Sequence, residues 1–164
     1  MNDNDFLKPG DSIQLKDKQL MESQEVEELA QEVIKEEGLE LGPSEIGYFL
    51  IYPNLSKKIA AKCMKASREV KYYSGNDYLL EISGELWDML DRRTRYMIIF
   101  HELLHINPVY KAKQQEWVFK IRKHDYGDFY EIADRHGNEW FKTVQATVSS
   151  LYDLDPKDEN QVTL

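Results

Sequence analysis

Residues 96–106 form a strongly apolar stretch with three polar side chains near its C-terminal end. The sequence, YMIIFHELLHI, is typical of a helix that is buried around most of its circumference. Only His101, Glu102 and His105 are strongly polar within it. Burying an ionised carboxylate without a partner is costly, so we expect these three groups to bind something or to face a cleft.

A periodic pattern near the start of the chain predicts an amphipathic helix over residues 22–37. Its apolar positions follow the i, i+3, i+4, i+7, i+8 spacing of one helix face and are Val26, Leu29, Ala30, Val33 and Ile34. Glutamates fill most of the other positions, as they do on a solvated face. Gly38 stands where such a helix commonly ends.

Short segments rich in aromatic and β-branched residues predict strands on both sides of the central apolar stretch. The predicted strands cover residues 46–52, 70–73, 78–82 and 117–122. We expect a short helix within residues 56–70, where the pattern is mixed. The polar residues 109–116 are predicted to form a loop.

Capping residues predict the limits of the central helix and of the helical turn before it. Ser83 is a candidate N-cap for a helical turn that runs to Leu90. Asp91 is predicted to begin the central helix. Pro108 is predicted to end it, because a proline disfavours the helical conformation of the preceding residue.

Two further helices are predicted towards the C-terminus. The first covers residues 126–135, with Phe129, Ile132 and Ala133 turned inward, and Gly137 closes it. Asn138 can cap the second, whose apolar stripe consists of Trp140, Val144, Val148 and Leu151. The predicted elements describe a small α+β domain in which a few strands lie beside a buried helix.

The length of 164 residues suits one domain with a sound core. We expect a flexible polar tail over residues 1–20, a single domain over residues 21–152 and a second flexible tail over residues 153–164. Both tails are predicted because their polar and charged residues cannot bury enough apolar surface to order the chain.

Charge and composition exclude several classes of protein. The net charge of −9 argues against non-specific capture of nucleic acid, which needs clustered Lys and Arg. No apolar run approaches the roughly 20 residues of a membrane span, and from the polar, acidic N-terminal residues we expect no signal peptide. The single cysteine, Cys63, cannot form an internal disulfide and is predicted to be a small buried side chain. These observations predict a cytoplasmic protein that does not contact membranes.

The three polar side chains of the apolar stretch form an HExxH motif, His101-Glu102-Leu103-Leu104-His105. On a helix, residues four apart lie on the same face, so His101 and His105 can bind one metal ion. The intervening Glu102 can reach a water bound to that metal. The motif therefore predicts Zn²⁺ as cofactor and Glu102 as the general base of peptide hydrolysis.

Catalytic zinc usually takes three protein ligands, so the motif leaves one ligand to be found. His124 is the favoured candidate, because a strand returning from the central helix can bring it back beside the motif. Asp125 and Asp128 flank it and could orient its ring. His136, Glu131 and Glu139 remain as alternatives. The longer HExxHxxGxxH signature is absent, since proline and lysine stand at residues 108 and 111.

The expected substrate is a peptide or protein. Tyr126, Tyr130 and Arg122 are candidate donors to the oxyanion that forms during hydrolysis. The polar edge of the strand at residues 117–122 could bind an extended peptide by strand addition.

Several motifs together resemble the putative phage metallopeptidase family. They are SGELWD at residues 83–88, HELLHI at residues 101–106, HDxxDF at residues 124–129, and then Gly137 and Trp140. The resemblance covers roughly residues 47–141. It implies a zincin-like fold, carriage by a phage or prophage, and a zinc site of His101, His105 and His124 with Glu102 as the catalytic glutamate.

Two alternatives stay open. The HGxEW sequence at residues 136–140 is similar to part of SprT-like proteases, which act on DNA–protein crosslinks, although its distance from His105 and the acidic charge argue against that class. A non-catalytic zinc-containing module that binds a host protein would also explain the motif.

Overall fold

A computed structural model of the chain describes residues 13–15, 18–125, 127–152 and 162–164. Over these residues the chain forms seven strands and six helices. The strands are β1 (Ile13–Leu15), β2 (Lys18–Glu22), β3 (Ile46–Tyr52), β4 (Ala61–Lys65), β5 (Tyr78–Ser83), β6 (Ile106–Lys111) and β7 (Glu116–Ile121). The helices are α1 (Gln24–Glu37), α2 (Arg68–Ser74), α3 (Gly84–Met89), α4 (Arg92–Leu104), α5 (Tyr130–His136) and α6 (Glu139–Tyr152).

Five strands form one sheet in the order β1-β2-β3-β5-β4, and β6 pairs with β7 in a separate hairpin. Neighbouring strands are antiparallel except for β3 and β5, whose parallel pairing requires a crossover connection that contains β4 and α2. Helix α4 contacts β4 of the sheet, the helices α1, α5 and α6, and strand β6. This arrangement confirms the predicted α+β fold, with the HExxH helix buried beside a small sheet.

Helix α1 has the apolar stripe and the ends that its sequence predicts. The Ser23 hydroxyl accepts a hydrogen bond from the Val26 N–H, which caps the first turn. Gly38 ends the helix with a φ of 65°, a left-handed conformation that glycine adopts without steric cost. The buried side chains are Val26, Leu29, Ala30 and Val33.

Helix α4 is buried from Met97 to Leu104, as its apolar sequence predicts. The Asp91 carboxylate accepts a hydrogen bond from the Thr94 N–H at 2.8 Å and caps the helix. The prediction that Pro108 ends the helix is wrong, because the chain leaves the helix at His105 and enters β6. A proline is tolerated there because β6 belongs to a two-stranded hairpin, in which each strand has one unpaired edge.

The segment between β3 and β5 differs from its prediction. Residues 61–65, which were expected to be helical, form β4 because they pair with β5 and bury Ala61. Residues 70–73, which were expected to form a strand, lie in α2. Local capping determines this helix: the Ser67 hydroxyl caps its start and Gly75 ends it, while none of its seven residues is buried.

Two boundaries after the central helix also need correction. The loop predicted over residues 109–116 is shorter than expected and covers residues 112–115, because residues 109–111 belong to β6 and Glu116 to β7. The Tyr110 and Trp117 rings lie 5.4 Å apart across these two strands. Helix α5 begins at Tyr130 rather than at residue 126. The predictions for β3, β5, β7, α3 and α6 are confirmed.

The structure describes only a few residues of each predicted tail. Residues 18–20 belong to β2, which pairs with β3, and residues 13–15 form β1. Near the C-terminus, Val162 is buried and Thr163 forms a bridge to Ile59. Residues 1–12, 16–17 and 153–161 lie outside the described residues, so the domain limits stay a prediction. No described helix is long and apolar enough to cross a membrane.

A buried carboxylate joins α1 to α4 and α5. The Glu37 side chain is only 8% exposed, and it accepts hydrogen bonds from Tyr96 (3.0 Å), Arg135 (2.9 Å) and His136 (2.7 Å). Burial alone would raise the pKa of Glu37, but these hydrogen bonds outweigh burial, and the pKa lies below its ordinary value of 4.5.

We expect Glu37→Gln to lower the free energy of unfolding of the metal-free protein by about 1–3 kcal/mol at neutral pH. The lowered pKa means that ionised Glu37 stabilises the fold above about pH 4.5 and loses this effect as the pH falls through its folded-state value. The difference between variant and wild type should therefore shrink in acid. Urea unfolding at about pH 7 and about pH 4 measures it.

Glu40→Gln is the matched control, because Glu40 is exposed and lies just beyond α1. It should leave the free energy of unfolding unchanged at both pH values. A Glu37→Gln variant whose deficit is as large in acid as at neutral pH would contradict the assigned role of the ionised carboxylate.

Candidate metal centre

Two histidines lie at the C-terminal end of α4, and a third approaches them from the segment after β7. His101 is in the last turn of the helix, and His105 is its C-cap. The β6–β7 hairpin reverses the chain, so that the Arg122 N–H donates to the His105 carbonyl at 2.7 Å. His124 follows, and ligand nitrogens of the three rings all lie within 4.8 Å of one another. The structure thus brings together all three histidines proposed as ligands.

The outer nitrogens of the two motif histidines are hydrogen-bonded. Nδ1 of His101 lies 2.8 Å from Oδ1 of Asp128, and Nδ1 of His105 lies 2.7 Å from the Arg122 carbonyl oxygen. Because both partners are acceptors, each Nδ1 carries a proton and each neutral ring keeps its lone pair on Nε2. Nε2 of His101 faces Nε2 of His124 at 2.8 Å. Ligating histidines commonly have this arrangement, with the outer N–H bonded and the inner nitrogen free.

Burial keeps the three rings in their neutral form. It lowers the pKa of His101, His105 and His124 below the ordinary value of 6.5. The Asp128 carboxylate opposes this effect at His101 without outweighing it. Neutral imidazoles are the form that binds a metal ion, so the electrostatics of the site match metal binding.

Glu102 is completely buried beside these rings. Its side chain is 0% exposed, and neither carboxylate oxygen has a hydrogen-bond partner among the described residues. Burial raises the pKa of Glu102 to about 8. An unpartnered buried carboxylate is costly, and a bound cation with its water would relieve that cost. Three neutral imidazoles and this carboxylate therefore fit a divalent metal ion.

Cys63 lies in β4 close enough to Glu102 to be affected by its charge. Burial, reinforced by the charge of Glu102, raises the pKa of the Cys63 thiol well above its ordinary value. A thiol in this state is a poor nucleophile, although the side chain is partly buried rather than buried as predicted.

Aromatic rings enclose the histidines on one side. The fully buried Phe129 ring lies with its centroid 5.2 Å from His101, 5.0 Å from His105 and 5.3 Å from His124. Trp140 of α6 contributes a second contact, 5.9 Å from His101. The sequence suggested only that Phe129 is turned inward, so its contact with all three rings was missed.

The two aspartates near His124 have roles that differ from the prediction. Asp128 bonds His101 rather than His124. Asp125 accepts hydrogen bonds from the Arg122 guanidinium and from the Tyr130 N–H, both at 3.1 Å. The prediction that these carboxylates orient the His124 ring is therefore wrong. The spacing within residues 124–128 could not show it, because the path of the loop decides which ring each carboxylate reaches.

The other candidate ligands lie away from the cluster. His136 bonds the Glu37 carboxylate at 2.7 Å. Glu131 pairs with the Arg122 guanidinium at 3.0 Å, and Glu139 is an exposed residue that pairs with Lys142.

Two of the three candidate oxyanion donors, Arg122 and Tyr130, are among the residues that the structure describes. The Arg122 guanidinium is occupied by Asp125 and Glu131. Tyr130 is 60% exposed, and Tyr126 lies outside the described residues.

Comparisons with known proteins agree with this geometry. The sequence model of the family described as "Putative phage metallopeptidase" matches residues 18–152, which include α4, the β6–β7 hairpin and His124. The family name implies a metal, and the histidine cluster is a place that could hold one. No curated protein and no solved structure gives a significant match to the chain.

We expect His124→Ala to lower zinc affinity by at least about 100-fold, more than the 10–100-fold loss typical of residues that only support a ligand. His136→Ala is the matched control, because its ring bonds Glu37 instead of facing the cluster. It should leave the affinity within about threefold of wild type, since it removes no ligand. Competition with a chromogenic chelator measures both constants. Unchanged affinity in His124→Ala would refute the assignment of the third ligand.

Proposed function

Because the chain belongs to the family described as "Putative phage metallopeptidase", we propose that it is a zinc-dependent peptidase with Glu102 as its general base. Its metal ligands are His101, His105 and His124. The single observation that carries this proposal is the Glu102 carboxylate, which is fully buried, unpartnered among the described residues and placed on the helix between two of the converging imidazoles.

The donor set supports zinc as the metal. Catalytic zinc is commonly held by three protein ligands with one position open, and imidazole nitrogen is among its preferred donors. When bound, zinc supplies a Lewis acid that polarises a peptide carbonyl and acidifies water.

In this mechanism Glu102 moves the proton. Its carboxylate accepts a proton from the attacking water and delivers it to the leaving amine nitrogen. Burial disfavours the ionised form of Glu102, whereas a nearby cation favours it, so this base is competent only in the loaded site. His101 and His105 keep their orientation through the hydrogen bonds at Nδ1.

The substrate is proposed to be an extended peptide segment of a protein. Strand β4 is at the edge of the five-stranded sheet and packs against α4, the helix that carries Glu102. An extended peptide added to this edge would run beside the general base. The strand at residues 117–122, which was the edge expected from sequence, pairs with β6 and is a second candidate.

Two other functions make different demands. A SprT-like protease would need DNA for activity, and the net charge of −9 argues against a DNA partner. A zinc-containing binding module would need no general base. The unpartnered Glu102 favours catalysis over such a module.

We expect Glu102→Gln to lower kcat about 100- to 10,000-fold, the range that general base catalysis contributes. Zinc content should stay at the wild-type level, because Glu102 is not a ligand. Hydrolysis of a fluorogenic peptide library and elemental analysis measure the two quantities. Glu139→Gln is the control, because its carboxylate is exposed on α6, and it should leave both unchanged.

The same assays separate the alternatives. A chelator should abolish the activity of the wild-type protein, and added zinc should restore it. Hydrolysis that appears only with added DNA would favour the SprT-like function. A protein that binds zinc but cleaves no member of the library, with or without DNA, would be a binding module.

A further inference from the structure

The Arg122 side chain forms hydrogen bonds across the segment that carries the third histidine, His124. Its guanidinium donates to both carboxylate oxygens of Glu131, at 3.0 and 3.1 Å, and to Oδ2 of Asp125 at 3.1 Å. Glu131 is in α5, so one side chain connects the end of the hairpin to the next helix. Two bonds to one carboxylate fix direction as well as distance.

Two further hydrogen bonds, each donated by a backbone N–H, hold the same segment. The Asp125 N–H donates to the Asp128 carbonyl at 3.0 Å, and Oδ2 of Asp125 accepts from the Tyr130 N–H at 3.1 Å. His124 therefore lies in a short segment whose conformation is fixed by hydrogen bonds from Arg122 to Asp125, from Asp125 to Asp128 and from Tyr130 to Asp125. His101 and His105 take their backbone positions from the end of α4, and only their ring orientations depend on this segment, through Asp128 and the Arg122 carbonyl.

The same guanidinium also packs on the aromatic ring that contacts the histidines. Its central carbon, Cζ, lies 4.6 Å from the centroid of the Phe129 ring. A planar cation at this distance is attracted to the face of the ring. Phe129 in turn contacts the His124 ring. Arg122 thus constrains His124 both through the path of the backbone and through the ring against which His124 packs.

We propose that the Arg122 side chain is a positioning residue that holds His124 in place for the metal before the metal binds. The inference rests on the proposed zinc site and adds the reason why a ligand from an irregular segment is held as firmly as two ligands from a helix. Without the guanidinium, the segment would have to be ordered when the metal binds, which lowers affinity.

A double-mutant cycle on zinc affinity tests this proposal. Arg122→Ala should lower the affinity about 10- to 100-fold, the usual effect of losing a residue that supports a ligand. In a His124→Ala background, the same substitution should change the affinity less than about threefold, because the ligand that it positions is already absent. An equal loss in both backgrounds, or no loss in either, would overturn the proposal.

A spectroscopic readout adds a signal that general destabilisation would not produce. With Co²⁺ in place of zinc, Arg122→Ala should shift the visible absorption of the bound ion towards that of His124→Ala. A spectrum identical to wild type would count against the proposal. Arg122→Lys should restore less than half of the lost affinity on a logarithmic scale, because lysine cannot form the two-pronged contact with Glu131.

Arg135→Ala is the matched control. Arg135 is also an arginine that pairs with a carboxylate on another element, but it bonds Glu37 rather than the His124 segment. Its loss should leave zinc affinity within about threefold of wild type, since it supports no ligand. If Arg122→Ala fails to fold, as judged by circular dichroism, Glu131→Gln takes its place in the cycle with the same direction of effect.

The cycle also separates this inference from the proposed function. If His101→Ala and His124→Ala leave zinc affinity unchanged, the metal site itself is wrongly assigned. If both lower the affinity while Arg122 and His124 show no coupling, the zinc site stands and only the positioning role of Arg122 is refuted.

Discussion

The arrangement of this domain follows from the burial of α4 around most of its circumference. A helix with His101 and Glu102 at 0% exposure removes both groups from water, so every hydrogen bond they lose must be replaced from neighbouring elements or from a bound ion. Asp128 replaces the water at the outer nitrogen of His101. No described residue does so for Glu102. This unpartnered carboxylate does not stabilise the fold, but it favours the binding of a cation beside it.

Features that depend on local sequence were predictable. The apolar stripe and caps of α1, the buried character of α4 and the paired motif histidines all follow from spacing along one helix. His124 could be chosen because so few histidines compete for the role. The predicted elements between β3 and β5 failed for the opposite reason. Strand β4 forms because it pairs with β5. The sequence of residues 61–65 alone could not predict this pairing, because the partner strand lies elsewhere in the chain.

The partners of the site were harder to predict than its candidate ligands. Asp128 and Asp125 stand close together in sequence, yet one bonds a ring on α4 and the other completes the contacts of Arg122. The family match supports the metal and the peptidase class, while the substrate depends on surfaces around the site. The motif contains two of the three candidate ligands. The irregular segment after β7 contains the third and the hydrogen-bond partners of the other two.

The hydrogen bonds at the two outer nitrogens connect His101 and His105 to the stretch of chain that carries His124. The partner of His105 is the Arg122 carbonyl, and the partner of His101 is Asp128, so both belong to the short stretch that also carries His124. A single proteolytic cut within this stretch would disturb the third imidazole and the supports of the other two together.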